Sequence, residues 1–157
     1  VVLVYFGDHL PYLGDSQLGY QELGMTDDPV WNQLNAYATP YVIWANDAAA
    51  ETLDWETAVE ALDLSQDPAD LSAAFLGATV LELTGRAGES PWFDFLNSLR
   101  RIAPVVQKDA YLLSDGTLVT QADLDADESE ESTALRDAVD QWRNWSYYHL
   151  RYKDIPS

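Results

Sequence analysis

The first six residues, Val1-Val2-Leu3-Val4-Tyr5-Phe6, are apolar without interruption and rich in β-branched and aromatic side chains. Such a run is long enough for a strand and far too short to cross a membrane as a helix. Because it is unbroken rather than alternating, it predicts a strand buried on both faces, and such strands belong mostly to parallel sheets covered by helices. The expected class is therefore α/β. In open sheets of that class the ligand site lies beyond the carboxyl ends of the strands, which is where Gly7-Asp8-His9 falls. A carboxylate beside an imidazole at that place makes Asp8 and His9 candidate metal ligands, with Gly7 expected to turn the backbone so that the two side chains need not point to opposite faces. The plainer reading of the pair is a solvated aspartate and a hydrogen-bonded histidine at a strand end. A hard divalent ion such as manganese or magnesium takes about six donors, so two residues would supply only part of a site.

A chain of 157 residues, 47% hydrophobic and 12% aromatic, can bury a sizeable core as one domain. Its 27 acidic and 8 basic residues give a formal charge of −19. That balance argues against a nucleic-acid partner, because little could neutralise phosphates, and it repels anionic lipid headgroups. With no cysteine, disulfides, thiolate zinc sites and thiol catalysis are excluded, which fits an extracytoplasmic bacterial setting. No signal peptide or membrane-spanning run is present. A buried strand at residue 1, with no initiating methionine, predicts a piece of a longer protein, any targeting or membrane segment lying upstream.

Thr39-Pro40-Tyr41-Val42-Ile43-Trp44-Ala45-Asn46 repeats the pattern of the opening and predicts a second buried strand, with Pro40 where a missing N–H costs least. Between the two, residues 11–28 read as loop, and Pro29 to Tyr37 as a short helix or irregular segment. Helical turns are expected around Trp55 to Leu62. A firmer helix is expected over Ala69 to Thr84, with Leu71, Phe75 and Ala78 on one face and Gly85 as its stop. Ser90-Pro91 opens another, with Ser90 as N-cap, Phe95, Leu96, Leu99 and Ile102 as its apolar stripe, and Arg100 and Arg101 complementing its C-terminal dipole. Asp115-Gly116 between apolar runs predicts a β-hairpin over Ala110 to Thr120. A final helix carries Leu135, Val139, Trp142, Trp145, His149 and Tyr152 at steps of three and four.

Other candidate sites are weaker. Asp123-x-Asp125-x-Asp127 begins like a calcium loop, but Glu128 stands where glycine is needed and Ala134 where a bidentate glutamate is needed. It reads as a solvated linker whose carboxylates favour the start of the final helix. His149 reads as a packed residue, and Lys153 carries no signal. Trp142, Trp145, Tyr147, Tyr148 and Tyr152 could stack on sugar rings, but their helical spacing favours core. Nucleophile-elbow, phosphate-loop, zinc-protease and dinucleotide motifs are all missing from the sequence.

Val4-Tyr5-Phe6-Gly7-Asp8-His9-Leu10-Pro11-Tyr12-Leu13-Gly14, followed by Thr39-Pro40-Tyr41-Val42-Ile43-Trp44-Ala45-Asn46, resembles the C-terminal part of lipoteichoic acid synthases and related phosphoglycerol transferases, in the sulfatase and alkaline phosphatase superfamily. The segments Leu83-Thr84-Gly85, Phe93-x-Phe95-Leu96, Ala103-Pro104-Val105-Val106, Asp115-Gly116 and Tyr148 to Tyr152 extend the likeness over almost the whole chain. The resemblance implies the C-terminal portion of an alkaline-phosphatase-like α/β sandwich over residues 1–108, and a hairpin-and-helix subdomain over 109–157. It assigns Asp8 and His9 to a divalent metal, typically manganese, with magnesium the other choice. It places the nucleophilic threonine, a glutamate ligand and the phosphate-binding residues before this point of the chain, so Thr39 and Thr84 match none of them. For the intact enzyme it implies transfer of glycerol phosphate from phosphatidylglycerol to a cell-envelope polymer or glycolipid, outside the bacterial cytoplasmic membrane and anchored by upstream segments. This fragment alone would be inactive. A sulfatase- or phosphodiesterase-type hydrolase of the same superfamily and a non-catalytic structural module are the competing readings.

Overall fold

A computed structural model describes residues 1–62 and 69–151, with side chains to residue 148. The chain is mixed α/β with two small antiparallel sheets. Its contacts divide it into two compact units, one over Val1–Ala69 with Leu83–Gly85, the other over Asp70–Glu82 with Arg86–Ser157.

In the first unit, β1 (Val2–Phe6) and β2 (Tyr41–Ala45) form as the apolar runs predict, but they pair with each other, antiparallel, as a two-stranded ribbon. Val2 lies opposite Ala45, Val4 opposite Ile43 and Phe6 opposite Tyr41. The expectation of a parallel sheet buried on both faces is thus corrected. Leu3 and Tyr5 of β1, with Val42 and Trp44 of β2, share a face on which they are 53, 66, 51 and 50% exposed. An apolar run specifies a strand that can be buried, whereas what covers it is a tertiary matter.

Between the strands lie α1 (Leu18–Glu22), short 3-10 turns at Asp15–Gln17, Met25–Asp27 and Asn35–Tyr37, and irregular chain. Tyr20 and Trp31 are the buried residues of this segment and pack ring on ring at 5.2 Å. Asn46 ends β2 and caps α2 (Asp47–Leu53), accepting from the Ala49 N–H at 3.1 Å, and α3 (Trp55–Ala61) follows across Asp54 in the left-handed region. The rest of the acidic stretch, residues 63–68, lies outside the described residues.

Gly7 has a different role from the expected turn. A Cβ there would meet the Thr39 Cβ at 2.9 Å, because the Gly7 N–H donates to the Pro40 carbonyl at 3.1 Å and the Thr39 hydroxyl donates to the Gly7 carbonyl at 2.8 Å. The glycine lets the two chain segments approach. Gly7→Ala is expected to destabilise the first unit by about 1–3 kcal/mol through this overlap, read as a lowered urea midpoint. An unchanged midpoint would show that Thr39 can move aside.

The second unit holds α4 (Leu76–Leu83, its last residue grouping with the first unit), α5 (Pro91–Ile102), the sheet of β3 (Val105–Val106), β4 (Ala110–Leu112) and β5 (Leu118–Thr120), then α6 (Gln121–Ala126) and α7 (Glu130–Arg151). The predicted helix over 69–84 is shortened to α4 by a 3-10 turn at Ala73–Phe75, and Gly85 stops it at φ +71°. The Asp115-Gly116 hairpin forms as read, with Gly116 at φ +85° and the Asp115 carboxylate accepting from the Thr117 N–H at 2.8 Å, which holds its pKa below the usual range. Its first strand is central in the sheet, because β3 pairs on its other side. Ser72 anchors β3: its hydroxyl accepts from the Val106 N–H at 2.8 Å and faces the Val106 carbonyl at 3.2 Å.

One core joins Phe75 and Ala78, Leu96 and Leu99 of α5, Tyr111 of β4, Leu124 of α6 and Leu135 and Val139 of α7. Residues on both sides of position 108 contribute to this core. Ser90 sits at the N-cap of α5 but makes no side-chain cap bond; Asp94 of the first turn reaches back instead, accepting from the Gly88 N–H at 2.8 Å. Arg100 is 5% exposed and pairs with Glu82 of α4 at 2.9 Å, while Arg101 reaches the same carboxylate from solvent. The acidic linker is largely helical. Thr120 and Asp123 form a capping box on α6, and the Asp127 carboxylate accepts from Ser129 and Ser132 at the start of α7. Hydrogen bonding to the Thr120 hydroxyl, and to Ser132 and Ser129, lowers the Asp123 and Asp127 pKa values respectively. Of the aromatic cluster, Trp142 packs against the core, Trp145 stacks half-exposed on Trp92 at 5.2 Å, and Tyr147 and Tyr148 are exposed. His149 lies within α7 with its side chain outside the description, as are Tyr152 and Lys153.

Candidate metal centre beside a groove

Asp8 and His9 follow the last residue of β1 and extend into solvent, their side chains 84 and 76% exposed. The Asp8 carboxylate accepts from the His9 backbone N–H at 2.9 Å, which holds it back over the residue that follows. The His9 Nδ1 lies 2.8 Å from the Leu10 carbonyl oxygen. A carbonyl can only accept, so Nδ1 carries a proton, and Nε2 is the nitrogen left to bind an ion. That nitrogen is 3.7 Å from the Asp8 Oδ2.

Two donors bound to one ion at about 2 Å each must lie within about 4 Å of one another. The pair satisfies this, and the Leu10 carbonyl at 2.8 Å is the kind of acceptor that holds the far nitrogen of an imidazole when the near one binds a metal. The chemistry of the two donors, an anionic oxygen and an imidazole nitrogen, suits manganese and permits magnesium less well. The set is incomplete: among the described residues no group of three or more potential ligands forms. The predicted pair is thus brought together by local backbone geometry, and among the described residues no third ligand joins it.

A groove of about 440 Å3, which no motif in the sequence marks, adjoins His9. Tyr12 and Gln17 border it, and Tyr20 and Trp31 line it more deeply. Its shape is set by a strained loop in which Ser16 and Gln17 both take left-handed backbone angles, φ 55° and 62°. The strain is held by cross-links: the Trp31 indole donates to the Gln17 Oε1 at 2.7 Å and the Tyr20 hydroxyl donates to the Pro11 carbonyl at 2.5 Å. Gly19 is required here too, since a Cβ would meet the Leu13 carbonyl oxygen at 2.7 Å. The available signal was Tyr20 and Trp31 themselves, large aromatics in a stretch without periodicity.

No helix among the described residues is long and apolar enough to cross a membrane. A scan against protein-family models matches none, and neither the curated proteins nor the solved structures contain a match to this chain.

Proposed function

We propose that the chain is the C-terminal portion of a metal-dependent phosphoglycerol transferase with an alkaline-phosphatase-like α/β sandwich, working on the outer side of the bacterial cytoplasmic membrane. The reading rests on the resemblance of Gly7-Asp8-His9-Leu10-Pro11 joined to Thr39 through Asn46. The structural observation that supports it best is the 3.7 Å separation of the His9 Nε2 and the Asp8 Oδ2 at the end of β1. Asp8 would supply an anionic oxygen and His9 a neutral nitrogen to one divalent ion, manganese first and magnesium second. When bound, such an ion lowers the pKa of a hydroxyl nucleophile and stabilises charge on a transferring phosphoryl oxygen. The chain's own part is to hold the two donors: the Leu10 carbonyl keeps the proton on Nδ1, and the His9 N–H orients the carboxylate.

On this reading the nucleophile, the further ligands and the phosphatidylglycerol and glycerol phosphate acceptor contacts belong to polypeptide outside these residues. Isolated, the chain is expected to turn over no phosphatidylglycerol analogue and to bind manganese with a dissociation constant of about 1 mM or weaker, as befits a site short of protein ligands. Paramagnetic broadening of the His9 ring resonances during a manganese titration reads this directly, and Asp8→Ala should remove it. Micromolar affinity would mean that the local site is more complete than two residues, and turnover would refute the fragment reading. Broadening that survives Asp8→Ala would instead favour a structural module with no metal centre at this pair.

A further inference from the structure

The ribbon of β1 and β2 carries three features that the metal pair does not use. The first is an unpaired edge. The Asn46 N–H donates to the Val1 carbonyl and the Gly7 N–H to the Pro40 carbonyl, both just outside the strands, so the odd-numbered residues of β1 face β2. By the alternation of an antiparallel ladder, Val2, Val4 and Phe6 turn their N–H and C=O groups away from β2. Among the described residues no backbone partner meets them. The edge also lacks the lysines, prolines and bulges with which exposed edges are usually blunted.

The second feature is the exposed apolar face of Leu3, Tyr5, Val42 and Trp44 beside that edge. The third is charge. No lysine or arginine precedes Arg86, whereas Asp15, Glu22, Asp47, Glu51 and Glu56 are spread through the first unit. A polyanionic partner such as nucleic acid would meet repulsion there. A second copy of the chain, itself at −19, meets the same repulsion.

We infer that the outer edge of β1 is a docking surface for a basic polypeptide strand, in which apolar side chains alternate with or are flanked by lysine and arginine. Its main chain would extend the ribbon through Val2, Val4 and Phe6. Its apolar side chains would cover Leu3 and Tyr5, and its cations would offset the acidic surroundings. This is the edge-addition mode, in which main-chain bonds supply affinity and alternate side chains supply choice. The inference is independent of whether Asp8 and His9 bind a metal, but on the fragment reading above polypeptide preceding Val1 competes for this edge, so loss of peptide binding in a chain extended upstream would overturn it.

The test uses the whole chain and two synthetic peptides, one alternating valine with lysine and the other valine with glutamate. Calorimetric titration should show binding of the lysine peptide only, weakening as salt is raised, with amide exchange slowed at Val2, Val4 and Phe6. Val4→Pro removes one outward donor without touching the ladder to β2, and should weaken the lysine peptide by about tenfold. Trp44→Thr keeps a strand-forming residue while stripping the exposed face, and should also weaken it by about tenfold. Equal binding of both peptides would overturn the charge argument, and full binding by Val4→Pro would overturn edge addition. Self-association of the chain that blocks the peptide would make a second copy the occupant and overturn the proposal. Unaltered affinity in Trp44→Thr would overturn the role of the apolar face even if Val4→Pro failed to fold.

Discussion

Tyr111→Ala is expected to lower the stability of the second unit by about 3–5 kcal/mol, the largest effect of any single change considered. Tyr111 is fully buried at the centre of the core, so truncation removes a whole ring from a closely packed site that can collapse only in part. The ring also ends in a hydroxyl that holds three elements together. It donates to the Gln121 Oε1 at 2.5 Å and accepts from the Arg143 guanidinium at 3.0 Å, which itself donates to the Lys108 carbonyl at 2.9 Å. Burial raises the phenol's pKa against the opposing pull of Arg143, so the hydroxyl stays protonated and keeps donating through the physiological range. Tyr111→Phe separates the two contributions. It keeps the ring and should cost about 0.5–1.5 kcal/mol, the net worth of hydrogen bonds whose partners, half-buried Gln121 and exposed Arg143, can turn to water. Urea unfolding of both variants, followed by far-ultraviolet circular dichroism, reads the difference; equal losses would mean that the hydroxyl network rather than the ring carries the site.

The second large effect is expected from Glu82→Ala, at about 2–4 kcal/mol. Arg100 is almost fully buried on α5 and pairs with Glu82 of α4, itself largely buried. Removing the carboxylate strands a guanidinium in a poorly solvated place, and that penalty exceeds what the pair gains over two apolar side chains. Arg100 keeps other interactions, and Glu82 retains some solvent contact, which places the figure below that for a wholly enclosed pair. The double change Glu82→Leu with Arg100→Leu should recover most of the loss, because no unpaired charge remains. If the double variant were as unstable as Glu82→Ala, the helices would depend on the ion pair's geometry rather than on charge compensation. Arg101 contacts the same carboxylate but is half exposed, so its own truncation should cost little.

Arg100 also shows where reading from sequence stops. Its place near the end of a predicted helix suits the dipole of the exposed carbonyls, whereas in the fold it pairs with Glu82, 18 positions earlier on another helix. Ser90 is a second instance: it occupies the N-cap position, but the bond that closes the turn before α5 comes from Asp94. In the candidate site, Asp8 and His9 were legible because they are adjacent and follow an apolar run. The tautomer set by Leu10, the 3.7 Å separation and the groove beside them were not, since each depends on atoms whose positions follow from backbone angles.

Sequence by itself determined the local elements: both apolar strands, the Asp115-Gly116 hairpin, the helix opened by Ser90-Pro91 and the long final helix with Leu135 and Val139 inward. These depend on periodicity, turn chemistry and proline or glycine placement, which act over a few residues. Only the tertiary structure decided that β1 pairs antiparallel with β2 and leaves one face open, that β3 joins the hairpin through Ser72, and that α4, α5 and α7 share one core with it. Pairing partner and burial depend on which distant surfaces meet, and an apolar side chain is equally suited to several of them.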